Sequence, residues 1–272
     1  MIAQATLSDV REFWDEASCG EALLLAEETD AGYAAQSAER YRLEPYIVDF
    51  ANWAEMSGKQ VLEIGVGLGS DHEQFARAGA DLTGIDLTPR AIEHSRRRLA
   101  LAGLSSDLKV GNAEALPFAD GSFDHVYSWG VLHHSPDTPK AIAEAMRVLR
   151  SGGTFAIMIY NKWSLVGLML WARYGLARGR PLTSLKAIYA RHLESPGTKA
   201  YTHSEALAMI APFADHVAIR AELTHGDLLS SGAGQRHQGR ILDLARRVWP
   251  RGLLKRVAAN NGLFLLISGQ RI

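Results

Sequence analysis

An open α/β sheet with parallel strands is the fold the sequence predicts, and three observations carry that prediction. Lys59 to Asp86 reads in order as a strand, a glycine loop, a helix and a second strand ending in an acid. Strand-like and helix-like segments then go on alternating as far as Asn161, as a sheet flanked by helices requires. The helices of that run carry start and stop signals of their own. Thr88 and Pro89 open one that Gly103 closes, and Asp137 or Thr138 with Pro139 opens one that Ser151-Gly152-Gly153 closes.

The first strand is the short apolar run Val61, Leu62, Ile64, of a length suited to burial. Gly65, Gly67 and Gly69 break it. Glycines at alternate positions allow a tight turn and let a ligand press against bare main chain. A helix over about Ser70–Ala78 points its N-terminus at that loop. The second strand, Asp81–Ile85, delivers Asp86 to the place where a ribose would be held by its hydroxyls. Two cofactors compete for such a loop. A dinucleotide fold wants G-x-G-x-x-G, but here the third position is Ser70 and the extra glycine is Gly69. Glu63, just before the loop, would repel a pyrophosphate and suit a cation.

Length and composition bound the rest. At 272 residues the chain is one enlarged α/β domain or one domain with a cap. A net charge of −1 gives no global attraction to nucleic acid or an acidic membrane. The one cysteine, Cys19, excludes an internal disulfide and is compatible with a reducing cytoplasm. No signal peptide is read at the N-terminus. The most apolar window, Leu165–Ala172, is too short to span a membrane.

The pattern E-x-G-x-G-x-G over Glu63–Gly69 resembles the first motif of class I S-adenosylmethionine (SAM) methyltransferases. SAM carries an ammonium and a sulfonium, so the charge argument agrees. Asn112-Ala113-Glu114-Ala115-Leu116-Pro117-Phe118 after the third strand (Leu108–Gly111), and RVLRSGG followed by TFAIMIYN as strand five, resemble the methyltransferase type 11 group. The resemblance covers roughly Tyr41 to Asn161. It implies a Rossmann-like sheet of seven mostly parallel strands with an antiparallel last strand, N-terminal lid helices, a helical cap, and SAM as cofactor. The implied cofactor contacts are Glu63, Gly65, Gly67, Gly69, Asp86, Leu87, Asn112, Ala113 and Trp129, with Tyr41 from the lid. The group commonly has aspartate where Asn112 stands, accepting a bond from the adenine amino group. An amide carbonyl can accept it too, though a turn residue capping its own backbone is the plainer reading.

The implied division is 1–57 for lid helices, 58–161 for the cofactor core, 162–199 for a substrate cap, and 200–272 for the end of the sheet with a basic helical insertion at 224–261. In the first segment Val10–Ala17, Glu21–Glu28 and Ala38–Met56 look helical, the last interrupted by Pro45. Trp14, Cys19, Arg40 and Tyr41 are lid candidates, although aromatic packing and a small buried thiol explain them as well. After strand four (Val126–Trp129), the loop Val131–Asp137 lies where the transferred methyl would be, and it carries His133 and His134. In an extended backbone only one of the two would face a ligand. His133, His134 and Tyr160, at the end of strand five, are the candidates for a general base.

Beyond Asn161, Trp163–Arg178 and Ser184–Leu193 read as cap helices, and Thr202–Ala211 returns to the core with Thr202 or Ser204 as N-cap. His216–Leu223 and Gly262–Gly269 read as strands six and seven. Between them, Arg236, Arg240, Arg246, Arg247, Arg251, Lys255 and Arg256 face only Asp243. An anionic or membrane-surface contact through 236–256 is one reading; a solvated helix face or a homodimer contact is the simpler one.

The acceptor can be narrowed. One cysteine cannot supply the thiolates of arsenite methylation, Ser128-Trp129-Gly130-Val131 lacks the element of DNA amino-methyltransferases, and no zinc-ligand spacing exists, so no metal is expected. A small-molecule acceptor remains, methylated at O, N or C. The type 11 resemblance includes ubiquinone and menaquinone C-methyltransferases. An NAD(P)-dependent oxidoreductase and a methyltransferase-like scaffold without turnover are the alternatives.

Overall fold

The computed structural model describes residues 5–231, 243 and 246–272. Gly232, Gly234, Arg236, Gly239 and Arg240, part of the expected basic loop and helix, lie outside the described residues. The sheet has seven strands: β1 (Gln60–Ile64), β2 (Asp81–Asp86), β3 (Asp107–Val110), β4 (Phe123–Trp129), β5 (Leu149–Tyr160), β6 (Ala214–Glu222) and β7 (Phe264–Arg271). Their order is β3-β2-β1-β4-β5-β7-β6. β1 to β5 pair in parallel, and β7 runs antiparallel between β5 and β6. This is the Rossmann-like arrangement expected. The chain turns back on itself between β1 and β4, and open sheets bind ligands beyond the strand ends at that point.

Alternate residues of the central strands fill two cores, as the period of a strand dictates. Leu62, Ile64, Val126 and Ile157 pack on one face with Ile142 and Met146 of helix α7 (Thr138–Val148) and Ile210 of α10 (His203–Ile210). Val61, Tyr127 and Ala156 pack on the other with Phe75 of α5 (Ser70–Arg77). Burial on both faces is what parallel strands need.

The N-terminal lid differs from its reading in outline. It comprises α1 (Leu7–Glu16), a single turn α2 (Glu21–Leu24), α3 (Asp30–Leu43) and α4 (Tyr46–Ala51). The helix expected from Ala38 begins at Asp30, where the Thr29 side chain accepts from Gly32 N at 3.1 Å; a hydroxyl cap marks a start that apolar spacing does not. The Pro45 break is present. Asp137 caps α7, accepting from Lys140 N at 3.1 Å, and Thr202 closes a capping box with Glu205 at α10. Ser151–Gly153, expected to close α7, instead lies inside β5, whose pairing with β4 slips between Phe123 and His125. Gly152 takes φ 75° there, inside the irregular stretch where Leu149 to Thr154 of β5 faces only Phe123 to His125 of β4.

The cap is α8 (Leu165–Tyr174) and α9 (Leu185–His192). Buried Asp227 fastens it to the sheet: Oδ1 accepts from Val166 N at 3.0 Å, and Oδ2 from Thr224 N at 2.9 Å and Leu263 N at 2.8 Å. Within the expected basic helical insertion, α11 spans Arg251–Val257. No described helix is long and apolar enough to cross a membrane.

Candidate functional site

A cavity of about 1240 Å³ opens beyond the carboxyl ends of β1, β2 and β4, roofed by α1, α3 and the cap. It exceeds the range of about 300–1,000 Å³ usual for a single ligand. Of the residues singled out from the sequence, Glu63, Gly65, Gly67, Asp86, Leu87, Asn112, Ala113, Trp129, His134 and Tyr160 line it, as do Trp14, Cys19 and Arg40 of the lid. Gly69, Tyr41 and His133 do not; they lie behind the wall.

The three loop glycines all have positive φ but serve different ends. A Cβ on Gly65 would stand 2.0 Å from Val131, and one on Gly69 2.9 Å from the Ser95 hydroxyl, so these two glycines let elements pack. A Cβ on Gly67 would meet nothing within 4 Å. Gly67 is therefore where bare backbone faces open space.

Asp86 sits at the end of β2 with Oδ2 accepting from Gly67 N at 3.2 Å and Oδ1 from Thr88 N at 3.0 Å. Its burial raises its pKa above the ordinary carboxylate value, while those bonds pull it back. The Asn112 side chain accepts from Glu114 N at 2.9 Å; it caps its own turn, and one lone pair of its carbonyl remains for another donor. Glu63 is committed differently from its expected role. Its Oε2 stands 2.8 Å from His72 Nδ1, and His72 Nε2 stands 2.7 Å from the Ser106 hydroxyl. Burial, with Asp71 nearby, pushes Glu63 well up, and burial holds His72 at about 3, a neutral ring. In this structure Glu63 ties β1 to α5, and its use as a full negative charge beside a cation is reduced.

Two polar nodes that sequence reasoning missed hold the lid to this end. Buried Asp71 accepts from Arg40 Nη2 at 2.7 Å, Tyr41 OH at 3.0 Å and Tyr127 OH at 2.8 Å. That places Tyr41 as a strut, while Arg40 reaches the cavity with its Nε unpartnered. Arg98 of α6 (Pro89–Leu101) is 2% exposed. It donates to Glu73 at 2.7 Å, Gln36 Oε1 at 2.9 Å, Leu68 O at 3.1 Å, the Ser70 hydroxyl at 3.2 Å, Tyr33 O at 2.9 Å and the Ser37 hydroxyl. One guanidinium thus joins α3, the glycine loop, α5 and α6. An apolar-spaced helix with one arginine on its inner face was the only available signal.

The opposite corner is formed by the histidine loop. Val131–Asp137 is a chain of turns rather than extended backbone, so the two rings lie together, centroids 4.2 Å apart. His134 faces the cavity, with Nδ1 2.8 Å from the Ser195 hydroxyl and Nε2 3.3 Å from Glu194 Oε2. Tyr160 OH donates to that same oxygen at 2.6 Å. Burial and the Glu194 carboxylate hold the Tyr160 hydroxyl well above its ordinary pKa, so it donates and does not ionise. His133 lies between the His134 and Tyr160 rings, fully buried, and burial with His134 and Lys199 nearby holds it well below the ordinary range. Cys19 stands in the cavity wall but is exposed, not the small buried thiol that the sequence also allowed. Glu194, which joins Tyr160 and His134 at this corner, was not singled out by the sequence.

The basic C-terminal stretch is partly spent internally. Arg251 donates to Leu228 O at 2.9 Å, Leu229 O at 2.8 Å and Arg246 O at 2.8 Å, and Arg246 pairs with Asp243 at 3.3 Å. Lys255 and Arg256 are exposed.

Residues 62–157 match the family model described as a methyltransferase domain. An uncharacterized protein of Mycobacterium tuberculosis is 37% identical over 113 residues, 42% of this chain and 41% of that one. A phthiotriol/phenolphthiotriol dimycocerosates methyltransferase of Mycobacterium leprae is 40% identical over 108 residues, 39% of each chain. The chain thus spans about two fifths of the length of such relatives. Over nearly its whole length it superposes on a solved geranyl diphosphate C-methyltransferase from Streptomyces coelicolor. The match covers 99% of this chain and 100% of that one, with TM-score 0.63 and 17% identity, a likeness of fold.

Proposed function

We propose, from the premise that residues 62–157 form a class I methyltransferase domain, that the chain transfers a methyl group from SAM to an apolar small molecule. The observation that carries this is the single cavity reaching from Gly67 and Asp86 at one end to His134, Tyr160 and Glu194 at the other. Its volume leaves room for an acceptor beside a cofactor. The open face of Gly67 suits a ligand pressed on main chain, and Asp86 is the acid for two ribose hydroxyls. Asn112 and Ala113 would flank the adenine, and Arg40, which lines the same cavity, would take the carboxylate. Bound SAM supplies an electrophilic methyl on a sulfonium, so the protein's contribution is alignment and charge fit.

The remaining wall favours an apolar acceptor: Leu7, Phe13, Trp14, Met169, Leu170 and Leu263 surround that space. The names of two similar proteins, acting on a dimycocerosate lipid and on geranyl diphosphate, agree with it. The acceptor atom, O, N or C, is left open. Where its proton must leave, His134 Nε2 and the Glu194 carboxylate are the available acceptors, and Tyr160 holds the carboxylate in place. His133 is out of reach of the cavity and positions the ring beside it. A cytoplasmic setting belongs to this proposal.

Calorimetry with SAM and S-adenosylhomocysteine tests the reading. Micromolar binding is expected, and Asp86→Ala should weaken it about 10–100-fold, the loss of charged hydrogen bonds. Tight NADH binding with no response to SAM would sink the proposal.

A further inference from the structure

The histidine corner holds a feature that methyl transfer leaves unexplained. His133 is completely buried, and neither of its ring nitrogens has a hydrogen-bond partner. Buried polar atoms are nearly always matched, so an orphaned pair calls for a reason. The ring does not stand alone. One nitrogen of His133, one of His134 and a carboxylate oxygen of Glu194 all lie within 4.8 Å of one another. His134 Nε2 and Glu194 Oε2 are already 3.3 Å apart. Donors about 2.1 Å from a tetrahedral zinc ion stand roughly 3.4 Å from each other, so that pair has the required separation and the widest pair must close by side-chain torsion.

We propose that His133, His134 and Glu194 form a binding site for a zinc-like divalent cation, with its remaining position open to the cavity. Two imidazoles and one carboxylate select zinc, cobalt or iron over magnesium and calcium, which prefer all-oxygen sets. The supporting bonds are those a metal ligand needs. Ser195 and Thr198 stand 2.8 Å and 3.2 Å from His134 Nδ1, turning Nε2 toward Glu194. Tyr160 OH fixes Glu194 from the other side at 2.6 Å. The site is invisible in the chain because Glu194 comes from the cap, far in sequence from the histidines. With a cation bound, His134 and Glu194 serve as ligands and no longer as proton acceptors.

The test is zinc binding by the full chain after dialysis against a chelator, read by elemental analysis and calorimetry. It involves no methyl transfer, so its outcome is separate from that of SAM binding. One equivalent of zinc is expected, and cobalt(II) in its place should show the intense visible bands of a four-coordinate ion. Glu194→Gln alters a side chain that is 32% exposed, which the fold tolerates; it should weaken zinc more than about 100-fold, beyond the loss of a supporting group. His133→Gln should do the same, and if that variant misfolds Glu194→Gln decides. His216→Ala, at an exposed position of β6, should bind as the parent does. No zinc bound at micromolar concentration, or equal binding by the parent and Glu194→Gln, overturns the site and leaves His133 as a stacked core ring.

Discussion

The two ends of the cavity are built on opposite principles. At the glycine-loop end nearly every polar group is matched: Asp71 accepts from three donors, Arg98 donates to six groups, and Asp86 accepts from two backbone amides. At the cap end the wall is apolar and the polar groups are gathered in one corner, where His133 is left unmatched. A fully satisfied network rigidifies, which suits a ligand of one fixed shape. An apolar wall with few directional bonds suits a ligand recognised by size. Under the proposed function, that difference would assign cofactor recognition to the core and acceptor choice to the lid and cap.

If that contrast holds, damage to the two ends separates into loss of fold and loss of binding. The largest effect is expected at Arg98. Arg98→Met leaves Glu73 with Arg77 alone and takes a donor from two carbonyls and three side chains, and urea unfolding should show a loss of about 3–5 kcal/mol, as when one partner of a buried ion pair is removed. A loss under about 1 kcal/mol would mean the node does not join lid and core. Gly65→Ala comes next: overpacking against Val131 and a strained φ together should cost about 2–4 kcal/mol. Gly67→Ala has the strain without the clash, so about 1–2 kcal/mol is expected, with a larger proportional loss in S-adenosylhomocysteine affinity. Equal stability losses in the two glycine variants would break the distinction between packing and ligand-facing positions. The smallest effect concerns the lid clasp, where Arg90 binds Glu21. The Arg90 hydrogen bond, against burial, holds Glu21 down at about 2 from 4.5. A depressed carboxyl contributes stability above its unfolded value that is lost as pH falls through the folded one. Lid docking, followed by limited proteolysis, should therefore weaken between about pH 4.5 and 2, by under about 1 kcal/mol since the pair is partly exposed.

Much of the core was legible because its signals are local. Strand, glycine loop, helix and acid at 59–86 lie within one βαβ unit, and each residue type answers a need of its own few neighbours. Thr88, Asp137 and Thr202 were readable as caps for the same reason. The lid and cap were legible only as helices. Tyr41 was read as a cofactor contact because an aromatic on a lid helix is ambiguous; Asp71 and Tyr127, on other elements, decide that it faces inward. That one histidine of the pair would face the cavity and the other would not was readable, as His134 and His133 do; the turn that stacks the two rings depends on packing under the cap. Glu194 carries no local signal, since an acid after a short helix looks like any solvated one.

By itself the sequence determined the sheet, the loop and the acid after β2, because those features are encoded in spacing along one segment; the cofactor was implied by resemblance to a family over several segments. Only the tertiary structure decided which side chains meet at the cap end of the cavity. Residues from the lid, the histidine loop, β5 and the cap converge there from separate segments. Their charge and hydrogen-bond state follows from burial against one another, a property that no one segment possesses.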